Sequence, residues 1–168
     1  MLPDGTLELI IDLRDEPRRL FDRENAQRDQ VFRGGWVSGA QTRYLIIDAL
    51  PGASMIGAHF QAGGAAAILG LPADGLRDQG VQLEALWGAA AAELRGQLLA
   101  ARGPRGKFAV LEQALVSRLA LRQRDAAQLQ RVFWARDQFL QHGGCANVAA
   151  VVEQLGISHK HFIAEFRR

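Results

Sequence analysis

The chain has 168 residues, 48% of them hydrophobic and 23% charged, with 20 basic and 18 acidic side chains. That composition suits globular structure and excludes a disordered chain, and the longest apolar runs are broken well short of the ~18 residues of a membrane span. A single cysteine, Cys145, excludes an internal disulfide, and the opening MLPDGTLELI lacks the basic-then-apolar pattern of a secretory leader. A cytoplasmic protein without a membrane partner is therefore expected. Charge is uneven along the chain. From Arg118 onward there are eight basic and four acidic residues, against twelve and fourteen before it. A mildly acidic part followed by a basic tail is the pattern expected when only the tail meets phosphate.

The first sixty residues read as strands and turns. Leu7, Leu9, Ile11 and Leu13 alternate with polar or exposed positions over Thr6–Leu13, the period of a half-buried strand, and the turn residues Pro3-Asp4-Gly5 precede it. The charged stretch from Arg14 to Gln30 reads as a long hairpin connection with little core. Val31–Val37, Arg43–Leu50 and Ser54–Phe60 follow as β-rich runs, separated by Ser38-Gly39 and Pro51-Gly52. Such closely spaced strands predict an antiparallel sheet or a small barrel.

After Gln61 the pattern becomes helical. Ala65–Leu71 reads as a short helix stopped by Pro72, and Leu83–Ala101 as one amphipathic helix ended by Gly103-Pro104. Phe108–Leu121 repeats the apolar spacing with Phe108, Leu111, Leu115 and Leu119. The basic triplet Arg122-Gln123-Arg124 marks the boundary between a unit over 1–121 and a second over 125–168. In the second unit, Asp125 can cap a helix with the stripe Leu129, Val132, Phe133, Phe139 and Leu140, terminated at Gly143-Gly144. Two short helices complete the chain, Asn147–Leu155 and Ser158–Arg168. The fold class is α+β: an N-terminal antiparallel sheet or small barrel with packed helices, then an all-α helix-turn-helix segment.

The last two helices, VAAVVEQLG-IS-HKHFIAEF, carry the most specific signal. Asn147 is placed to cap the first helix, whose inward stripe is Val148, Val151, Val152 and Leu155. Gly156 stands where the corner of a helix-turn-helix needs left-handed geometry. Ile157 plugs the turn and Ser158 caps the second helix. Phe162 and Phe166 anchor that helix inward, leaving His159, Lys160, Ile163, Ala164 and Arg167 toward solvent. A helix presented in this way can enter a major groove, with basic residues on phosphates.

At these residues the sequence resembles the AraC/XylS family of bacterial transcription regulators. The first helix-turn-helix of that family follows L-A-x-x-x-G-h-S-x-x-x-L-x-x-x-F, with h apolar, and Gly156, Ile157, Ser158 and Phe166 match it. Val152 replaces the usual Ala and Phe162 the usual Leu. The preceding QHGG is similar to the end of the family's opening helix. LPDGTLELIIDL, the segment Gly39-Ala40-Gln41-Thr42, HFQAGGAAAILGLPADGL and LEALWGAAAAEL resemble the N-terminal domain of a subset of these regulators. The resemblance implies a sensing or regulatory domain ahead of a DNA reader. Family members continue with a G-x-[ST]-P turn, a linker helix and a second helix-turn-helix. The expectation is therefore a C-terminally truncated reader that binds DNA weakly.

The implied DNA-contacting residues are Ser158, His159, Lys160, Ile163, Ala164, Arg167 and Arg168. Arg33, Trp36 and His59 are the candidates for a small-molecule effector pocket. The expected partners are double-stranded promoter DNA, an effector and a second copy of the chain, with Leu86 and Trp87 as a helix–helix dimer contact. No enzyme, cofactor or metal is expected. Gly63-Gly64 lacks the Gly-Lys-Ser/Thr ending of a phosphate loop, Ser38 lies outside a G-x-S-x-G elbow, and His159 and His161 fall on different helix faces. The competing expectation is a stand-alone small-molecule or protein-binding domain whose terminal helices serve dimerisation.

Overall fold

The computed structural model describes residues 6–21, 25, 29–49, 51–61, 63–121, 126–143 and 145–166. The alternation at the start forms β1 (Leu7–Asp12), with Leu7, Leu9 and Ile11 buried. β1 is one of the two inner strands of a four-stranded antiparallel sheet with β4 (Gly35–Ser38), β6 (Met55–Phe60) and β7 (Gly80–Gln82), in the order β6-β1-β4-β7. A second sheet has the order β3-β2-β5, built from β2 (Arg18–Phe21), β3 (Asp29–Phe32) and the two-residue β5 (Ile46–Ile47). The fold is α+β, as the residue pattern predicts.

Two expectations about the strands change, and one strand is new. The stretch from Arg14 to Gln30 is no plain connection, because it contains β2, whose Arg18 is buried against Asp12. An inward-facing group satisfied by an ion pair leaves no hydrophobic alternation to read. The run expected over Arg43–Leu50 contributes only Ile46 and Ile47, both exposed. β7 is too short to show a period and owes its existence to pairing with β4, Val37 opposite Val81. The Pro3-Asp4-Gly5 turn lies outside the described residues.

Helices cover one face of the larger sheet. α1 (Ala65–Leu69), α2 (Leu83–Trp87), α3 (Ala89–Ala100) and α4 (Gly103–Ala120) bring Leu69, Leu94, Leu98 and Leu111 onto Leu9, Val37 and Ile56 in one core. The single helix expected over Leu83–Ala101 is broken at Gly88, whose φ of 58° and ψ of −139° only glycine adopts readily. On α4, Leu111 is buried as expected, but Phe108 and Leu119 face outward. Trp87 is buried in the chain's own core with the Arg118 guanidinium 3.8 Å from its ring centre, and Leu86 packs against the same core. The two are therefore not a free dimer contact. Among the described residues, no helix is long and apolar enough to cross a membrane.

A second, separate core belongs to α5 (Ala126–Gln141), α6 (Val148–Leu155) and α7 (His159–Phe166): Ala135, Val151, Val152 and Phe162, with Phe139, Leu155 and Ile157 against them. Leu140, expected in the inward stripe of α5, is 70% exposed, and Val148 is also outward. Ala135 takes the central place instead, a small side chain where helices approach closely. The expected boundary triplet, Asp125 and Gly144 lie outside the described residues.

The G-x-x-T segment has a structural explanation. Thr42 donates its backbone N–H and its hydroxyl to the Asp78 carboxylate, both at 2.7 Å. Gly39 lies so close to the chain at Leu76 that an added Cβ would sit 1.7 Å from the Leu76 carbonyl oxygen. Gly39→Ala must therefore displace backbone. It should cost about 3 kcal/mol or more, the range of severe core disruption, as read by chemical denaturation.

Candidate functional site

Two places in the fold gather the residues singled out above. The first is the pair α6–α7. Asn147 caps α6, its side-chain oxygen accepting from the Ala149 backbone N–H at 2.9 Å. Gly156 ends α6 in the left-handed conformation, φ 66° and ψ 26°, and Ser158 Oγ accepts from the His161 backbone N–H at 3.2 Å at the head of α7. The chain therefore turns a corner at Gly156-Ile157-Ser158, and Ile157 packs against the C-terminal core.

Phe162 is buried at the foot of that corner. Phe166 packs on Phe139 and Phe162, with ring centres 6.1 and 4.5 Å away, but is still 38% exposed, so it anchors α7 only in part. His159, Lys160, Ile163 and Ala164 are all exposed, as expected. Arg167 and Arg168 lie outside the described residues.

The acidic residue of α7 was not singled out from the sequence. Glu165 is turned inward and bonded by Arg131 of α5, whose Nε lies 3.0 Å from Oε2 and whose Nη2 bonds Oε1. His161 Nε2 lies 3.0 Å from the same Oε1, the i,i+4 spacing that was the one visible signal. The Arg131 guanidinium holds the Glu165 carboxyl below its usual range, against the opposing effect of burial, and the carboxylate in turn raises the Arg131 pKa. Because Glu165 is withdrawn, the outer side of α7 presents Lys160 and His159 with no carboxylate of its own helix beside them.

The second place is a cavity of about 390 Å³ between the two sheets, on the face of the larger sheet opposite the helices. β1 turns Glu8 and Ile10 to it, β4 turns Trp36 and Ser38, and β6 turns Met55 and His59. Trp36 stacks on Phe32 with 5.6 Å between ring centres, and His59 Nδ1 is 3.3 Å from Glu8 Oε1. Trp36 and His59 thus both line the cavity. Arg33 is not among its lining residues: its backbone pairs with the Gln82 side chain and its own side chain is exposed. Arg18, missed in the sequence because it sits in an apparently featureless charged stretch, stands on the cavity wall.

The two places are joined at the end of β6. The Gly63 turn abuts α5, where an added Cβ would meet Val132 Cγ1 at 2.8 Å, and Arg136 Nη1 donates to Gln61 Oε1 at 3.3 Å. A cleft beside this junction is lined by Ala66 and Leu71 on one side and by Leu129, Glu165 and Phe166 on the other.

In comparison with known proteins, residues 1–82 match a family described as a domain of unknown function (DUF6597). That span ends with the last residue of β7 and so takes in every strand of both sheets. No curated protein and no solved structure matches the chain.

Two outcomes follow from the geometry of α5–α7. Gly156→Ala keeps open space around the new methyl but strains a left-handed position, and should cost about 1 kcal/mol in denaturant melts of the C-terminal helices. A lowered Glu165 pKa means that the unfolded chain binds the extra proton, so the pair's stabilisation is complete above the ordinary carboxylate value of about 4.3 and fades as pH falls through the lower folded value. Glu165→Gln should therefore melt several degrees below the wild type at neutral pH, with the gap closing below about pH 4.

Proposed function

We propose that the protein is a cytoplasmic transcription regulator of the AraC/XylS type, reading double-stranded promoter DNA through α7 and sensing a small molecule in its N-terminal part. The observation that supports it most is the α6–α7 corner. A left-handed Gly156, a capping Ser158 and a buried Phe162 hold up a helix whose outward side carries His159, Lys160, Ile163 and Ala164, while its one acid is drawn inside.

In this reading Lys160, with Arg167 and Arg168, contacts phosphate, and Ser158, His159, Ile163 and Ala164 lie near base edges. The sheet-rich part, with its cavity, is the sensing unit. β6 runs from the cavity wall to the Gln61–Arg136 contact, which supplies a physical route between the two.

The test is fluorescence anisotropy of a labelled duplex from the region upstream of the protein's own gene. The logarithm of affinity should fall linearly with the logarithm of salt concentration between about 50 and 200 mM. Lys160→Ala should weaken binding to all sequences alike and reduce the slope by about 1, whereas exchanging His159 or Ile163 should alter sequence preference. Binding that is absent, or indifferent to salt, argues against the reading.

One observation favours a second reading. Ile163 is an exposed apolar side chain next to Phe166, itself partly exposed, as suits a helix that pairs with a second copy of the chain. If Ile163→Asp dissociates a dimer in sedimentation and the wild type ignores DNA, α7 serves dimerisation instead.

A further inference from the structure

Arg18, on the wall of the cavity between the sheets, has a guanidinium nitrogen that its own protein does not satisfy. Arg18 is only 6% exposed, and its Nε donates to Asp12 Oδ2 at 2.5 Å. Among the described residues its Nη2 has no hydrogen-bond partner, and Arg18 stands on the cavity wall. A buried donor left without an acceptor is costly, and an entering acceptor can recover that cost. Much of the lining is apolar, with Ile10, Leu20, Phe32, Trp36, Ile47 and Met55 among it. We propose that this cavity binds an uncharged, largely apolar molecule bearing a carbonyl oxygen, a ketone or an ester, which accepts from Arg18 Nη2 while its body lies against Trp36 and Phe32.

Charge and size select that class. The Arg18 cation is already balanced by Asp12, and Arg19, also on the wall, is paired with Asp29 at 3.4 Å. Glu8 and Asp48 add two further carboxylates to the lining. An anionic ligand would share Arg18, the one buried cation of the lining among the described residues, with Asp12 and would face Glu8, so like-charge repulsion would offset what it gained. A neutral carbonyl takes the free N–H without that conflict. A volume of about 390 Å³ is of the size that holds a small organic molecule. Cross-strand pairing sets the floor, since Ile10 lies opposite Trp36 on one side and Gly57 on the other.

The site gives the sensing half of the regulator reading its ligand class, and rests on that reading for its biological role but not for its chemistry. The test therefore uses the full chain without DNA. Prodan, an uncharged naphthalene with a propionyl ketone and polarity-sensitive emission, is titrated beside dimethylaminonaphthalene, the same fluorophore lacking the ketone, and beside anionic anilinonaphthalene sulfonate. Prodan should bind saturably at one site with blue-shifted emission, about tenfold tighter than the ketone-free compound, the factor expected of one hydrogen bond to a charged donor.

Arg18→Lys keeps a cation for Asp12 but removes the second nitrogen. It should abolish the tenfold preference and leave the ketone-free affinity as it was. Ile10→Trp, which fills the floor of the cavity and leaves the Asp12–Arg18 pair alone, should weaken both neutral probes and serves where Arg18→Lys fails to fold. Equal affinity for the two naphthalenes, an undiminished preference in Arg18→Lys, tighter binding of the sulfonate, or no saturable site would each overturn the proposal. Saturable prodan binding in a protein that ignores promoter DNA would overturn the regulator reading alone.

Discussion

The Asp12 carboxylate is almost fully buried and is bonded on both oxygens, by the Arg14 backbone N–H at 2.9 Å and by Arg18 Nε. Asp12 ends β1 in the larger sheet and Arg18 begins β2 in the smaller, so this ion pair ties the two sheets at a corner, while Phe32 stacks on Trp36 farther along. Arg95 of α3 reaches the same corner, donating to the backbone oxygens of Asp12 and Arg14 at 2.9 and 2.8 Å and to the Asp15 carboxylate. Arg14 in turn donates to the Gly52 carbonyl ahead of β6. A buried pair of this kind gives little net stability over an apolar replacement, but removing one partner leaves an uncompensated charge. Its effect here is positional: it helps to set where the second sheet lies.

From that position the rest of the N-terminal part follows. β1 presents Leu7, Leu9 and Ile11 to the helices and Glu8 and Ile10 to the space between the sheets. Period-two geometry thus divides one strand between a close-packed core and a cavity wall. The helices close the first face. The second faces the smaller sheet across a cavity lined by residues of both sheets. The same pair leaves one guanidinium nitrogen of Arg18, a residue of the cavity wall, without a partner.

The C-terminal helices follow a different logic. Their core is small and separate, and the withdrawal of Glu165 onto Arg131 has two consequences at once. It docks α7 on α5, and it removes the negative charge from the face that α7 turns outward. The residue that positions the helix therefore also sets the sign of its exposed side. Placed beside the Gly63 turn, α5 is where any change in β6 would meet the helical unit.

The sequence by itself determined the features that depend on neighbouring residues. The alternation of β1, the caps Asn147 and Ser158, and the left-handed Gly156 are all local, because each rests on the geometry of a few consecutive positions. So was the outward face of α7, where His159, Lys160, Ile163 and Ala164 are exposed. Tertiary structure alone decided the rest. Arg18 and Asp12 are six positions apart, yet only the meeting of two sheets buries them. Arg131 and Glu165 are 34 positions apart, with the whole of α6 between them. β7 exists only through its partner strand, and Phe108 and Leu140 face water although their spacing is that of a core stripe. Periodicity reports which side of an element is apolar. Whether another element arrives to cover that side, or to neutralise a charge there, depends on contacts between distant parts of the chain.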